Sequence, residues 1–320
     1  MITKEDVNYA YRLLLGREPD NEATVNRYVS ELRSVKMLRE LFMGSMEFRQ
    51  SLSKQQLSRL PRPQLPSSPM HVQLQAAPEQ LAALLAKVAA QWQHLGQTEP
   101  HWSVLTNDSY TQDNLPRNQT AFYASGAHEV TEWRGSLARA GLSTAALTHV
   151  LELGCGVGRV TMHLARAVPQ VTGVDISAPH LALAQARQQQ EGIHNIQWAH
   201  LQQVAAVAEL PECDAWVSRI VLQHNPPPVM AHLLRGLLHK LKPGGVAWFQ
   251  LPTYKAGYRF EVDKYLAVDN TTSMEMHCLP QRDLLALLAQ AGCEVLEIRE
   301  DDAVGLATHM LSNTLLVQKR

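Results

Sequence analysis

Apolar positions follow two different rhythms along this chain. In the first 50 residues they recur at helical spacing: Val7, Tyr11, Leu14 and Leu15, then Val25, Tyr28, Val29 and Leu32, then Leu38, Leu41, Phe42 and Phe48. Each set falls on one face of a helix with 3.6 residues per turn, so three short amphipathic helices are predicted. Gly16-Arg-Glu-Pro-Asp20 breaks the first of them. Between Ser58 and Pro69 the periodicity is lost, and Pro61, Pro63, Pro66 and Pro69 among polar neighbours predict an extended linker. A helix resumes at Pro78 with Leu81, Leu84, Leu85, Val88, Ala89 and Trp92 on one face, and Gly96 closes it. This helix is expected to pack on the domain that follows, with dimerisation as the alternative.

Beyond residue 148 the rhythm changes. Short apolar runs at 150–153, 171–175, 195–198, 215–217, 246–250, 293–299 and 313–317 alternate with helical stretches at 178–190, 233–241 and 279–291. Strands alternating with helices predict an α/β domain built on a largely parallel sheet. The organisation expected is a helical domain over 1–57, a linker over 58–77, a connecting helix over 78–104 and the α/β domain over 105–320.

Chemistry concentrates in Val150-Leu-Glu-Leu-Gly-Cys-Gly-Val-Gly-Arg159, where Gly154, Gly156 and Gly158 alternate between a strand and a helix. Glycines without a Cβ permit positive φ and let a ligand lie against bare backbone. The helix start offers unpaired N–H groups. The spacing is G-x-G-x-G, whereas a dinucleotide fold wants G-x-G-x-x-G, which argues against a nicotinamide oxidoreductase. Glu152 stands two places before the first glycine, and Asp175 closes the second apolar run. A carboxylate in that position can accept hydrogen bonds from both hydroxyls of a ribose.

Together these segments resemble the class I S-adenosylmethionine-dependent methyltransferase family, whose first motif is Glu-x-Gly-x-Gly-x-Gly and whose second is the Gly-Val-Asp segment. The resemblance covers residues 105–320. It implies a Rossmann-like seven-stranded sheet, S-adenosyl-L-methionine as cofactor, and methyl transfer to an O, N or C nucleophile. Carried onto this sequence, it implies cofactor contacts from Glu152, Gly154, Cys155, Gly156, Gly158 and Arg159 in the first motif, and from Asp175 and Ile176 in the second. Many members place an Asp against the adenine amino group just past the third strand. This chain has Gln202 there, followed by Gln203, a departure that still leaves a carbonyl acceptor. Ser218, at the end of the fourth strand, completes the cofactor set. The segment Leu-Lys-Pro-Gly-Gly at 241–245 is common in the family as a tight αβ connection.

His224 lies where the family often has a His. It is a candidate base, since its pKa is near neutral, or a residue that packs the turn before the proline break at 226–228. Candidate substrate contacts are Arg219, Tyr123 in the stretch that precedes the first strand, and Tyr254, Tyr258 and His277 in the interruption at 252–277. The acceptor class implied is a small molecule or a bacterial sugar or glycan, methylated on oxygen. The rival expectation is a methyltransferase fold kept as a non-catalytic scaffold.

Tyr11-Arg-Leu-Leu-Leu-Gly-Arg-Glu-Pro-Asp20 and Phe42-Met-Gly-Ser-Met-Glu-Phe-Arg49 resemble a small helical bacterial domain related to phycobilisome linkers. That resemblance implies interaction with a protein or polymer partner, with Arg17 and Asp20 fixing a turn.

Charge and composition narrow the field. Lys+Arg 29 against Asp+Glu 30 leaves a net charge of -1, with no footprint for gripping a nucleic acid. No apolar run approaches the ~20 residues of a membrane span. The start lacks the features of a secretory signal, and the four scattered cysteines read as free thiols in a reducing cytoplasm. The sequons at Asn118 and Asn270 are then chance matches. The 14 histidines show no ligand spacing with carboxylates, so no metal is expected.

Overall fold

The computed structural model describes residues 2–45, 47–48, 68–268, 274–304 and 310–320. The chain divides into two compact units, Met1–Gln64 and Leu65–Arg320. Most of the proline-rich stretch and the Asn270 sequon lie outside the described residues.

In the smaller unit, helix α1 (Lys4–Ala10) opens on a capping box. The Thr3 hydroxyl accepts from the Asp6 N–H, and the Asp6 carboxylate accepts from the Thr3 N–H. The helix widens into a π turn over Tyr11–Leu15 and stops at Gly16, whose φ of 68° is left-handed. Helices α2 (Glu22–Glu31) and α3 (Val35–Gly44) are capped by Asn21 and Ser34. The predicted faces meet: Val7, Tyr11, Val25, Leu38 and Phe42 are buried together. Arg17 reaches Asp20 at 2.8 Å, pairs with Glu47 and lies over the Tyr11 ring, so it ties the corner to the third helical stretch.

The larger unit begins with a short strand, β1 (His71–Val72), and a long helix, α4 (Pro78–Thr98). Helices α5 (Leu115–Ala124) and α6 (Gly126–Arg139) follow. The alternating part then runs β2 (His149–Leu153), α7 (Thr161–Ala165), β3 (Gln170–Asp175), α8 (Ala178–Gln190), β4 (Ile196–His200), α9 (Ala206–Glu209), β5 (Cys213–Ser218), α10 (Pro227–Lys240) and β6 (Leu241–Lys255). It closes with β7 (Arg259–Phe260), α11 (Val262–Leu266), α12 (Gln281–Gln290), β8 (Cys293–Asp301) and β9 (Met310–Lys319). Seven strands pair in the order β4-β3-β2-β5-β6-β9-β8. The first five are parallel, and β9 inserts antiparallel between β6 and β8. The seven-stranded Rossmann-like sheet expected from the sequence is therefore present.

Burial explains the pattern. Strand β2 is buried at every position, as a parallel strand covered on both faces must be. One face carries Leu151, Trp216, Phe249 and the apolar side of α10. The other carries Val150, Val171, Trp248 and Leu316 against Trp133 and Leu137 of α6. Asp214 holds the strand starts in line: its carboxylate accepts from the Thr148 and His149 N–H groups and from Lys242. Those partners and the Thr148 hydroxyl hold its pKa below the ordinary range even though burial opposes them.

Two local expectations change. Prolines 226–228 do not break the chain before a helix at 233; Pro227 and Pro228 occupy the first turn of α10, where no N–H partner is required. The expected linker is described from residue 68 onward, and there it is tied to the larger unit. His71 and Val72 pair in parallel with Arg259 and Phe260, and the Ser68 carbonyl accepts from the Tyr254 hydroxyl. Among the described residues, no helix is long and apolar enough to cross a membrane. All four cysteines are free and buried.

Candidate functional site

The chain passes outward from β2 through β3 to β4, then returns to the other side of β2 with β5 and β6. This reversal opens a crevice at the carboxyl ends of β2 and β5, where an open α/β sheet binds its ligand. A cavity of about 90 Å³ lies there.

Its floor is the glycine loop. The N–H groups of Gly154 and Cys155 both donate to the Val174 carbonyl, and Gly156 N–H donates to Asp175 Oδ2 at 2.7 Å. Asp175 Oδ1 accepts from Ser177 N–H at 2.8 Å. One carboxylate thus fixes the first and second motifs together. Gly154 and Gly156 have φ of 73° and 53°, and a Cβ on either would run into Val221 or Val104. Gly158 serves differently: it does not line the cavity, and a Cβ there would press on Met162 and approach Ala184 of α8.

Glu152 lies under the loop with 6% exposure, and the Thr161 hydroxyl donates to its Oε2 at 2.5 Å. Burial raises its pKa to about 7. Cys155 is also buried in the wall, which pushes its thiol well above the usual range. Arg159 has 6% exposure and lies 3.4 Å from Glu129 of α6, with a second bond to the Ser125 hydroxyl. Its Nε is buried with no hydrogen-bond partner among the described residues.

At the end of β5, Ser218 donates to the Leu153 carbonyl. Arg219 is held by Glu129 at 3.1 Å and by the Thr314 hydroxyl at 2.7 Å, and it lies over the Trp248 ring. Ile220 has a φ of 57°, a left-handed conformation that a β-branched residue rarely adopts. Its N–H donates to Gln250 Oε1, which holds that geometry in place.

Most of the residues proposed from the two motifs therefore converge: Glu152, Gly154, Cys155, Gly156 and Arg159 line the cavity together with Asp175, Ile176, Ser218 and Arg219. Others do not. Gln202 and Gln203 are exposed and outside the lining, and Leu201 takes the position facing the cavity. Gln202 bonds His200 instead. Tyr123 is packed between His101 and Phe122 with Arg187 over its ring. Tyr254 reaches back to Ser68, and Tyr258 bonds His277 Nδ1 at 2.7 Å. His277 Nε2 in turn lies 3.2 Å from Glu275.

His224 is also outside the lining. Its Nδ1–H donates to the Glu275 carbonyl at 2.8 Å, its ring meets Trp92 edge-on, and burial lowers its pKa to about 4. That environment matches the packing alternative better than the base.

Among the lining residues not singled out as site residues are Val88 and Trp92 from α4, and Ser103 and Val104 after it. His180 joins them, placed 2.7 Å from the Ser177 hydroxyl and 2.9 Å from that of Ser103. The Ser177 hydroxyl also donates to the Trp92 carbonyl, so α4 is fastened directly over the second motif. The apolar face of α4 was legible, but not the site it would cover.

Residues 150–245 match the family model described as a methyltransferase domain. The segment from β2 to the start of β6 is a methyltransferase domain. Among curated relatives, a ubiquinone biosynthesis O-methyltransferase of Pseudomonas fluorescens (strain Pf0-1) is 33% identical over 101 residues, 31% of this chain and 42% of the relative. The enzyme of the same name from Albidiferax ferrireducens is also 33% identical, over 39% of its length. The chain thus spans less than half the length of the curated relatives it matches. Among solved structures, magnesium protoporphyrin IX methyltransferase from Synechocystis PCC 6803 with bound SAH superposes with a TM-score of 0.47 and 19% identity, covering 69% of this chain and 93% of that one. The N-methyltransferase NodS from Bradyrhizobium japonicum, in complex with S-adenosyl-L-homocysteine, gives 0.43 and 19%, covering 59% and 86%. The methyltransferase domain is flanked in this chain by the helices that precede β2 and by the antiparallel pair β8 and β9.

Proposed function

We propose that this protein transfers a methyl group from S-adenosylmethionine to a hydroxyl oxygen of a small-molecule acceptor. The observation that carries the reading is the Asp175 clamp, which presents the glycine loop at the reversal point of the sheet. A carboxylate has about four lone-pair sites. Two are used by Gly156 and Ser177, so two remain for the hydroxyls of a ribose. The unpartnered Nε of Arg159 supplies a buried cationic donor for the carboxylate of the methionyl end. Both residues fit the donor. The O-methyltransferase names of the curated relatives support oxygen as the atom modified.

When bound, the donor supplies an activated methyl on a sulfonium. The carbon–sulfur bond breaks as the oxygen–carbon bond forms. Sulfur would leave with the electron pair as a neutral thioether, and the hydroxyl proton would pass to bulk solvent on the acceptor's open side. The protein contributes position and dryness. The glycine loop and Asp175 fix the nucleoside end, Arg159 the methionyl end, and Val88, Trp92 and Val104 exclude water from above.

Calorimetric titration with S-adenosylhomocysteine and NAD tests the cofactor reading. The expected result is micromolar binding of the former alone. Asp175→Ala should lose the clamp and the ribose bonds, weakening affinity by about 1.5–3 kcal/mol, roughly ten-fold or more. Unchanged affinity in a folded variant would remove the placement. Failure of the native chain to bind would favour the scaffold reading.

A further inference from the structure

Beyond the end of the cavity that holds Arg219, the structure opens a second space of about 590 Å³. Arg219 and Trp248 line both. On the outer side the walls come from α6 (His128, Glu132), the end of β8 with the residue after it (Arg299 to Asp302) and Thr314 of β9. We propose that this groove is the acceptor site, and that it takes a neutral polyhydroxylated acceptor, a sugar or polyol, in place of an apolar ring or an anion. This inference rests on the methyl-transfer reading and names its substrate class.

Position comes first. A methyl acceptor must reach the donor from outside while the donor stays enclosed. The groove is open to solvent, and Arg219 and Trp248 are the described residues that line both it and the cofactor cavity. Arg219 is a fixed partition. Glu129 holds its Nε, the Thr314 hydroxyl holds its Nη1 with Asp301 at 3.8 Å, and Trp248 lies beneath it. A residue so committed has little charge left over for an acidic substrate.

The chemistry of the walls selects among acceptors. Ligand pockets for apolar molecules are lined mainly by hydrophobic and aromatic side chains. Among the described residues, Trp248 is the one such side chain in the lining. Four carboxylates (Glu132, Glu300, Asp301 and Asp302) face two guanidiniums (Arg219 and Arg299), which disfavours an anion. Nor is the lining simply acidic. Arg299 spans to Glu132 at 3.0 Å, and Asp301 accepts from Thr314 at 2.6 Å, so two of the carboxylates are already satisfied. Glu300, Asp302 and His128 remain as acceptors, beside the guanidinium donors of Arg299. A sugar hydroxyl both donates and accepts, and planar groups of both kinds side by side match adjacent hydroxyls. A simple amine would use the acceptors and leave the donors idle.

The test uses the full chain saturated with S-adenosylhomocysteine. Saturation-transfer NMR is recorded with three probes: a mixture of methyl hexopyranosides, spermidine, and 3,4-dihydroxybenzoate. Transfer to the hexopyranosides alone is expected. With S-adenosylmethionine as donor, the hexopyranosides alone should gain methyl, with a KM that rises about ten-fold in the Glu300→Gln/Asp302→Asn double variant. Both side chains are exposed, so the variant should fold, and its S-adenosylhomocysteine affinity should be unchanged. Normal S-adenosylhomocysteine binding with no transfer to any hexopyranoside, or with preference for either other probe, overturns the acceptor assignment and leaves methyl transfer standing. An unchanged KM in the double variant removes the groove as its location. Absence of S-adenosylhomocysteine binding removes the methyl-transfer reading itself.

Discussion

Glu152 lines the cavity with a carboxyl whose environment departs far from its ordinary chemistry. Burial raises its pKa from 4.5 to about 7. The folded protein therefore holds that proton more tightly than the unfolded chain. Its contribution to stability is complete below about pH 4.5 and is lost as the pH rises through about 7, amounting to about 3 kcal/mol. His224 acts in the opposite sense. Its pKa is lowered from 6.5 to about 4, so its contribution is present above about pH 6.5 and is lost as the pH falls toward about 4. A single pH profile of the native protein mixes the two, and the difference between native and variant separates them. Glu152→Gln keeps an acceptor for Thr161 but does not titrate. Urea midpoints should favour it progressively over the native protein from pH 5 to pH 8, and parallel profiles would show that the proton sits elsewhere. His224→Ala should lose the bond to the Glu275 carbonyl and the edge contact with Trp92, costing about 1–3 kcal/mol in thermal or urea unfolding. Its S-adenosylhomocysteine affinity and methyl transfer should persist; loss of transfer with intact binding would restore it as a base. At this scale the sequence was informative where backbone conformation dictates the residue. The glycines and Asp175 are tied to a turn that few other residues can make. It was silent where a tertiary neighbour decides, as for Tyr258, claimed by His277, and Gln202, turned toward His200 and solvent.

Elements explain how the cavity is closed. Helix α4 was legible as amphipathic, but its apolar face could not reveal that Val88 and Trp92 would overlie a glycine loop some 60 residues further on. The enclosed volume, about 90 Å³, falls below the ~300–1,000 Å³ usual for bound organic ligands. A nucleoside is therefore expected to enter as α4 or the Val104 segment moves aside. Trp92 is the contact that resists such movement, through its carbonyl to Ser177 and its ring to His180 and His224. Trp92→Ala should speed both association and dissociation of S-adenosylhomocysteine by about ten-fold, with a smaller change in Kd. Stopped-flow traces with unaltered rates would show that entry lies elsewhere. Helix α6 is fixed from another side: a Cβ at Gly126 would lie 2.0 Å from the Arg159 carbonyl. The first turn of that helix thus packs directly on the end of the glycine loop, and it delivers Glu129 between Arg159 and Arg219.

Over the whole molecule, the two rhythms of the sequence correspond to two separate bodies of buried residues. Val7, Tyr11, Val25, Leu38 and Phe42 form one cluster, and the other clusters among the described residues belong to residues beyond 70. Each residue lining the cavity or the groove lies between positions 88 and 314. The largely parallel sheet followed from alternation and the glycine loop from one motif, because both are set by local chain geometry, whereas the strand order appears only in the fold. The boundary was harder to read, because prolines announce an extended chain without saying what it docks on; residues 71–72 add a strand to β7. The division carries a prediction. A chain of residues 65–320 retains β1, α4 and every described hydrogen bond of the site. It should bind S-adenosylhomocysteine within about two-fold of the full protein, since every described lining residue of the cavity is kept. Starting instead at residue 78 deletes the β1 pairing and the Gln73 acceptor for the Val262 N–H. That shorter chain should unfold at a lower urea concentration while the longer one matches the native midpoint of this unit. If the 65–320 chain lost affinity, the helical domain would be part of the catalytic apparatus. Retained affinity would assign residues 1–64 to a task separate from cofactor binding.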